Sequence, residues 1–187
     1  YPVAWKPAAA PFTAAGLTVT PFALKHRVPC CGYQLHLPRA GRFDAARAKA
    51  ADIPLEYWRV LQAGQSIGGF TPDDVLGPPR RGLTVVYATD TRPCPALVHA
   101  ALGADLLCMD STYADDTDLP KAKLYGHSTC REVGALADEA MVRRLWLTHY
   151  SAAVTDPAPG LTAAQAHYPE AAAGVDGMRL ELEFDET

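Results

Sequence analysis

The 187 residues are 49% hydrophobic and 20% charged, enough apolar content to bury a sizeable core in one domain or two lobes, which excludes a disordered chain. A formal charge of -4 with a pI near 5.8 argues against a generally basic nucleic-acid binder, although a local patch can still hold phosphates. No apolar run is long enough to span a bilayer and the start does not resemble a signal peptide; five cysteines (Cys30, Cys31, Cys94, Cys108, Cys130) without a C-x-x-C pair argue against a disulfide framework, so a cytoplasmic chain with no membrane partner is expected.

In chain order, residues 1–15 read as an extended leader rich in Pro and Ala, and Tyr1 in place of Met points to a processed, nicked or excised chain. Gly16 to Leu24 alternates as a strand and ends at Lys25-His26-Arg27; Cys31 to Leu37 is a second alternating strand. His26 at such a strand end is either a hydrogen-bonded surface residue or a ligand. Between Pro38 and Gly82 the sheet pattern lapses, and 38–66 read as a helical arm or insertion: Phe43 to Ala51 is a short helix with Asp44 near its start, and Ile53 to Gly64 a second, with Pro54 in its first turn and Gly64 as a stop. Arg39, Arg42, Arg47, Lys49 and Arg59 make this the most cationic segment, read either as an arm for polyanions or as two solvated helix faces.

Leu83 to Ala88 is apolar and β-branched, follows the turn signals Gly77-Pro78-Pro79 and Gly82, and so reads as a buried strand delivering Asp90 to its carboxyl end. Pro93 and Pro95 bar further pairing, and residues 96–102 look helical. An acid there sits where open α/β sheets put ligands, or else caps the turn. Ala104 to Met109 is a further buried strand ending at Asp110-Ser111-Thr112-Tyr113, followed by a polar loop with Asp115, Asp116 and Asp118. A helix with the face Val133, Leu136, Ala137 and Ala140 starts near His127-Ser128-Thr129; Val142 to Thr148 is a strand ending in His149-Tyr150-Ser151; residues 161–168 are helical, and Met178 to Phe184 is a final alternating strand. Strands alternating with helices predict an α/β layered fold. His26, Asp90, His127 and His149, with Asp110 as a fifth, all stand at or beyond strand ends, and imidazole with carboxylate is a ligand set for zinc.

From Leu17 onward the chain resembles the second half of ribonuclease Z, the metallo-β-lactamase-fold endonuclease that trims the 3′ ends of precursor tRNA. Five motifs in order carry the likeness: Lys25-His26-Arg27-Val28-Pro29-Cys30-Cys31-Gly32-Tyr33, the loop Asp74 to Gly82, Tyr87-Ala88-Thr89-Asp90-Thr91-Arg92-Pro93, Gly126-His127-Ser128-Thr129, and Leu147-Thr148-His149-Tyr150-Ser151. The resemblance implies an α/β fold of the metallo-β-lactamase-type αββα sandwich, of which residues 16–187 supply mainly the second αβ half. It also implies that His26 and His149 each ligate one of two zinc ions, that Asp90 bridges both, and that His127 is catalytic, steadying the scissile phosphate or protonating the leaving oxygen. Asp110 stands where relatives tend to have a glutamate, and is either the orienter of a histidine or a loop acid. His36, His99 and His167 match no motif and are expected to be ordinary surface histidines.

The family's first-half signature, His-x-His-x-Asp-His, is absent from these residues, and Ser151 is followed by Ala152 and Ala153 rather than the arginine many relatives use to grip phosphate. The implied reading is a zinc-dependent phosphodiesterase for tRNA 3′ processing that uses metal-activated hydroxide. Its expected partners are a chain or segment carrying the missing motif, precursor tRNA as substrate, and further copies of itself as a homo-oligomer. Two alternatives stay open at this point: a hydrolase of the same fold for another phosphodiester or ester, and a non-catalytic half-domain that pairs with another chain.

Overall fold

Alternating apolar residues become a strand only where a neighbouring backbone accepts them. The computed structural model describes residues 10–114 and 116–185. Its elements in chain order are β1 (Phe12–Ala14), β2 (Leu17–Ala23), β3 (Cys31–Arg39), α1 (Ala45–Ala50), α2 (Leu55–Gln62), β4 (Arg80–Ala88), α3 (Pro95–Ala101), β5 (Leu106–Asp110), α4 (Leu119–Tyr125), α5 (Cys130–Glu139), β6 (Leu145–Thr148), α6 (Ala158–Gln165) and β7 (Ala171–Ala173). The strands form one seven-stranded sheet in sequence order. β1, β2 and β3 pair antiparallel, while β4, β5, β6 and β7 pair parallel with helices in the connections.

The chain divides into two compact units, one holding the described residues up to Leu37 with Leu83–Glu183, the other Pro38–Gly82 with the residues from Phe184 on. In the first unit, period-two alternation sends Val86 and Ala88, Leu107 and Met109, and Leu145 and Leu147 to one face of the sheet. There they meet Leu97, Ala101, Val133, Leu136, Ala137 and Ala164 of α3, α5 and α6 in a single core. The intervening Tyr87, Cys108 and Trp146 stay partly exposed on the other face. In the second unit, α1 starts at Asp44, whose side chain accepts from the amides of Ala46 and Arg47. Ala48, Ile53, Leu61 and Val75 form its core, packed against by Phe43, Tyr57 and Trp58. Because Val75 belongs to that core, the unit containing 38–66 continues to Gly82. Arg47 spends its guanidinium on the carbonyls of Asp73 and Leu76, whereas Lys49 and Arg59 are exposed.

Three expectations differ from what is seen. The first nine residues of the expected leader, and Asp115 of the polar loop, lie outside the described residues, but Phe12–Ala14, assigned to the leader, form β1. The β1 hairpin closes because Ala15 and Gly16 both take positive φ, at 50 and 80°, as a two-residue turn matched to strand twist requires. Met178 to Phe184, expected as the last strand, joins no ladder among the described residues, and the final strand is Ala171–Ala173 instead. After β7 the chain leaves the edge of the sheet: Gly174, Val175 and Met178 line a cavity with Tyr87, Cys108 and Trp146, so the expected strand begins beside the sheet face. The polar loop also gives way sooner than expected to α4, which follows a 3-10 turn at Asp116–Asp118 and buries only Ala122.

α5 and α6 approach closely because Gly134 has no side chain: a Cβ there would lie 2.3 Å from the Ala164 carbonyl oxygen. Gly134→Ala should therefore destabilise the protein by about 1–3 kcal/mol through overpacking, read as a lower urea midpoint at unchanged m-value.

Candidate metal centre

The strand ends deliver the chemistry. His26 lies in the loop after β2, Asp90 two residues beyond β4, Asp110 is the last residue of β5, His127 follows the left-handed cap Gly126 of α4, and His149 follows β6. Side chains separated by up to 123 positions meet: the His26 and His127 ring centroids are 5.0 Å apart, and those of His127 and His149 are 5.4 Å apart and stacked. Asp90 sits between two imidazoles, its Oδ2 3.9 Å from His26 Nε2 and its Oδ1 3.2 Å from His149 Nε2. The ligand atoms of His26, Asp90 and His127 all lie within 4.8 Å of one another, as do those of Asp110, His127 and His149.

The far sides of the rings determine what the near sides offer. His26 Nδ1 donates to the Gly126 carbonyl at 2.9 Å, since a carbonyl can only accept. His127 Nδ1 donates to Asp110 Oδ2 at 2.7 Å. Thr112 gives its single hydroxyl proton to Asp110 Oδ1, the 2.6 Å contact being its shortest, and so accepts from His149 Nδ1 at 3.0 Å. Each imidazole, when neutral, therefore carries its proton on Nδ1 and presents a bare Nε2. Two such lone pairs then face the two oxygens of Asp90, an acceptor-against-acceptor arrangement that repels unless a cation lies between them. That donor set, nitrogens and a two-sided carboxylate with their outer hydrogen bonds in place, fits borderline divalent cations such as zinc.

Asp110 anchors the arrangement. It is fully buried and accepts four hydrogen bonds, from the amides of Thr91 and Thr112, the Thr112 hydroxyl and His127 Nδ1. Two cysteines are kept as thiols: burial pushes Cys108 up to about 11, and burial with the Asp110 charge pushes Cys130 up to about 12. His149 holds a φ of 60°, in the left-handed region that a non-glycine residue enters at a cost of roughly 1–2 kcal/mol.

No protein-family model matches the chain. The ribonuclease Z of Agathobacter rectalis is 38% identical over 179 residues, covering 94% of this chain and 59% of that protein. This is a ribonuclease Z-like chain. It spans little more than half the length of the curated relatives it matches. Among solved structures, the metallo-β-lactamase fold protein YhfI from Bacillus subtilis superposes with a TM-score of 0.61 at 20% identity, covering 94% of this chain and 54% of YhfI. The short form of human tRNase Z superposes with a TM-score of 0.55 at 19% identity, covering 92% and 46%. Both share the fold of the ribonuclease Z-like chain.

Within that fold, the structure brings His26, Asp90, His127 and His149 together and puts Asp110 directly behind His127. It leaves His99 and His167 exposed and apart from the cluster. His36 departs from the surface role expected of it: it is half-buried on β3, with Nδ1 3.0 Å from the Thr84 hydroxyl. Thr112 and Arg92 were not singled out by the sequence reading. Arg92 was visible only as part of the Asp90-Thr91-Arg92-Pro93 turn, and Thr112 only as a residue next to an aspartate.

Two outcomes are expected. Gly126 has a φ of 82°, and a Cβ there would come within 2.8 Å of His26 Nδ1. Gly126→Ala should displace His26 and weaken Co²⁺ binding roughly tenfold or more, measured by absorption titration. The second concerns acid. Burial raises the pKa of Glu132, but hydrogen bonds from Arg92 and from the amide of Thr129 outweigh it and hold the carboxyl below its ordinary value. A depressed carboxyl stabilises the fold above its unfolded pKa and loses that contribution as pH falls through the folded one. Glu132→Gln should therefore be less stable at neutral pH yet lose less stability than wild type on acidification below about pH 5, compared by thermal unfolding across pH.

Proposed function

We propose that this chain is part of a zinc-dependent phosphodiesterase, a ribonuclease Z-like endoribonuclease acting at the 3′ ends of precursor tRNA. The observation that carries the reading is Asp90, whose two oxygens each face the bare Nε2 of a different histidine. A carboxylate so placed can bridge two cations, with His26 on one and His149 on the other. Bound zinc would lower the pKa of water enough for attack on phosphorus at neutral pH and would offset charge on the phosphoryl oxygens. The rest of the chemistry falls to the chain's own groups. His127, held by Asp110 through Nδ1, keeps Nε2 free to carry a proton to the departing oxygen. The exposed cations Lys25 and Arg27, on either side of His26, suit a polyanionic substrate on an otherwise acidic chain.

The remaining ligands, the His-x-His-x-Asp-His set, would come from a further segment or a partner chain. The sheet supports a place for it. Tyr87, Cys108 and Trp146, on the face turned away from the helices, line a cavity of about 530 Å³ that His149 also borders. Tyr87 is 47% exposed, so a second β layer packed there would bury aromatic surface and arrive beside the metal ligands. One observation favours a second reading, a hydrolase for a different phosphodiester or ester: Ala152 and Ala153 follow Ser151, where a bidentate arginine would grip phosphate.

With the missing ligand set supplied, Asp90→Ala should abolish zinc binding and cleavage of precursor tRNA together, followed by metal analysis and gel-based cleavage. Retention of both would sink the proposal. Turnover of a small aryl phosphodiester without turnover of precursor tRNA would select the second reading.

A further inference from the structure

The cluster is assembled from separate loops, and its geometry depends on what holds those loops in register. Residues 91 and 92 touch nearly all of them. The Thr91 amide donates to Asp110, the Thr91 carbonyl accepts from the Ser128 hydroxyl at 2.6 Å, and the Thr91 hydroxyl accepts from the Lys25 amide at 3.1 Å. The Arg92 amide donates to the Lys25 carbonyl at 2.8 Å, immediately before His26. Its side chain, largely withdrawn from solvent, donates through Nη1 to the carbonyl of His127 at 2.7 Å and to Glu132 Oε2 at 2.6 Å, and pairs through Nη2 with Glu132 Oε1. Glu132 in turn closes the capping box with Thr129 that starts α5.

An arginine that only stabilised α5 would need Glu132 and nothing else. Arg92 also holds the backbone of His127 and, through its own amide, the backbone next to His26, while standing two residues after Asp90. We propose that Arg92 is a positioning residue of the metal centre: its guanidinium sets the placement of His127, and its backbone that of His26, relative to Asp90, without itself touching metal or substrate. Lysine cannot substitute, because one ammonium on a flexible stem does not hold a carboxylate in two-point contact and a carbonyl beside it at once. This rests on the metal reading of the site given above.

The test compares Arg92→Ala, Arg92→Lys and Glu132→Gln in the full chain by two measurements. The first, ¹⁵N imidazole spectra of the metal-free protein, reports the ring tautomers without requiring metal. The second is Co²⁺ titration by absorption. Expected are a wild-type His127 signal of the Nδ1–H form, its shift to a mixture in both Arg92 variants, and a loss of Co²⁺ affinity of about 10–100-fold, with millimolar guanidinium restoring Arg92→Ala. Glu132→Gln, which leaves the bond to the His127 carbonyl, should lower the melting temperature while keeping the tautomer and most of the affinity. Unchanged His127 signals in the Arg92 variants overturn the proposal, as does a Glu132→Gln variant that reproduces their whole effect, because the arginine would then be a helix-capping partner only. If wild type supplied with the missing ligand set takes up no Co²⁺, the metal reading of the site fails, and the imidazole spectra still decide the role of Arg92.

Discussion

A carboxylate sealed from water has to be met by donors on every side, and Asp110 at the end of β5 is such a group. Its four hydrogen bonds come from Thr91 beyond β4, from Thr112 in the loop after β5, and from His127 ahead of α5. Burying that charge without them would cost several kcal/mol, so the loops that supply the donors have little freedom to move apart. Through Thr112 the same carboxylate reaches His149, whose strained backbone the Thr112 hydroxyl contacts at the carbonyl as well as the ring. The placement of the histidines around Asp90 thus traces back to one buried acid.

The sheet makes this economical. Parallel strands with helical returns bring successive carboxyl ends to the same rim, and β4, β5 and β6 deliver Asp90, Asp110 and His149 there in order. The antiparallel strands contribute by a different device: the loop after β2 is stitched to residue 92 by an isolated bridge between Lys25 and Arg92. Rigidity comes from the core beneath, where alternate residues of these strands are fully packed against α3, α5 and α6. The opposite face carries partly exposed aromatic side chains and is bordered by the same His149.

Much of this was legible in the amino-acid order. Strands β2 to β6 and helices α1, α2, α3 and α5 follow from alternation, proline and capping residues such as Asp44 and Thr129. The residues of the cluster could be named from five short motifs. What misled was Met178 to Phe184, whose alternation is as good as that of β2. Alternation reports two unlike faces, but whether a segment pairs depends on whether its backbone reaches a strand edge, and this one starts, at Met178, beside the sheet face. α4 was missed for a related reason: it buries one alanine, so no periodic apolar face announces it. Val75 looked like a loop residue, yet it completes the core of the second unit, which no local pattern could disclose.

By itself, then, the sequence determined an α/β layered fold and which imidazoles and carboxylates stand at the strand ends, because periodicity along a strand and the identity of a side chain are local properties. Only the tertiary structure decided which nitrogen of each histidine faces inward, since that depends on partners as remote as Gly126 for His26 and Thr112 for His149. It likewise decided that Arg92 serves three loops at once. Hydrogen-bond partners a hundred positions apart leave no imprint on neighbouring residues, and they exist only once the chain has closed on itself.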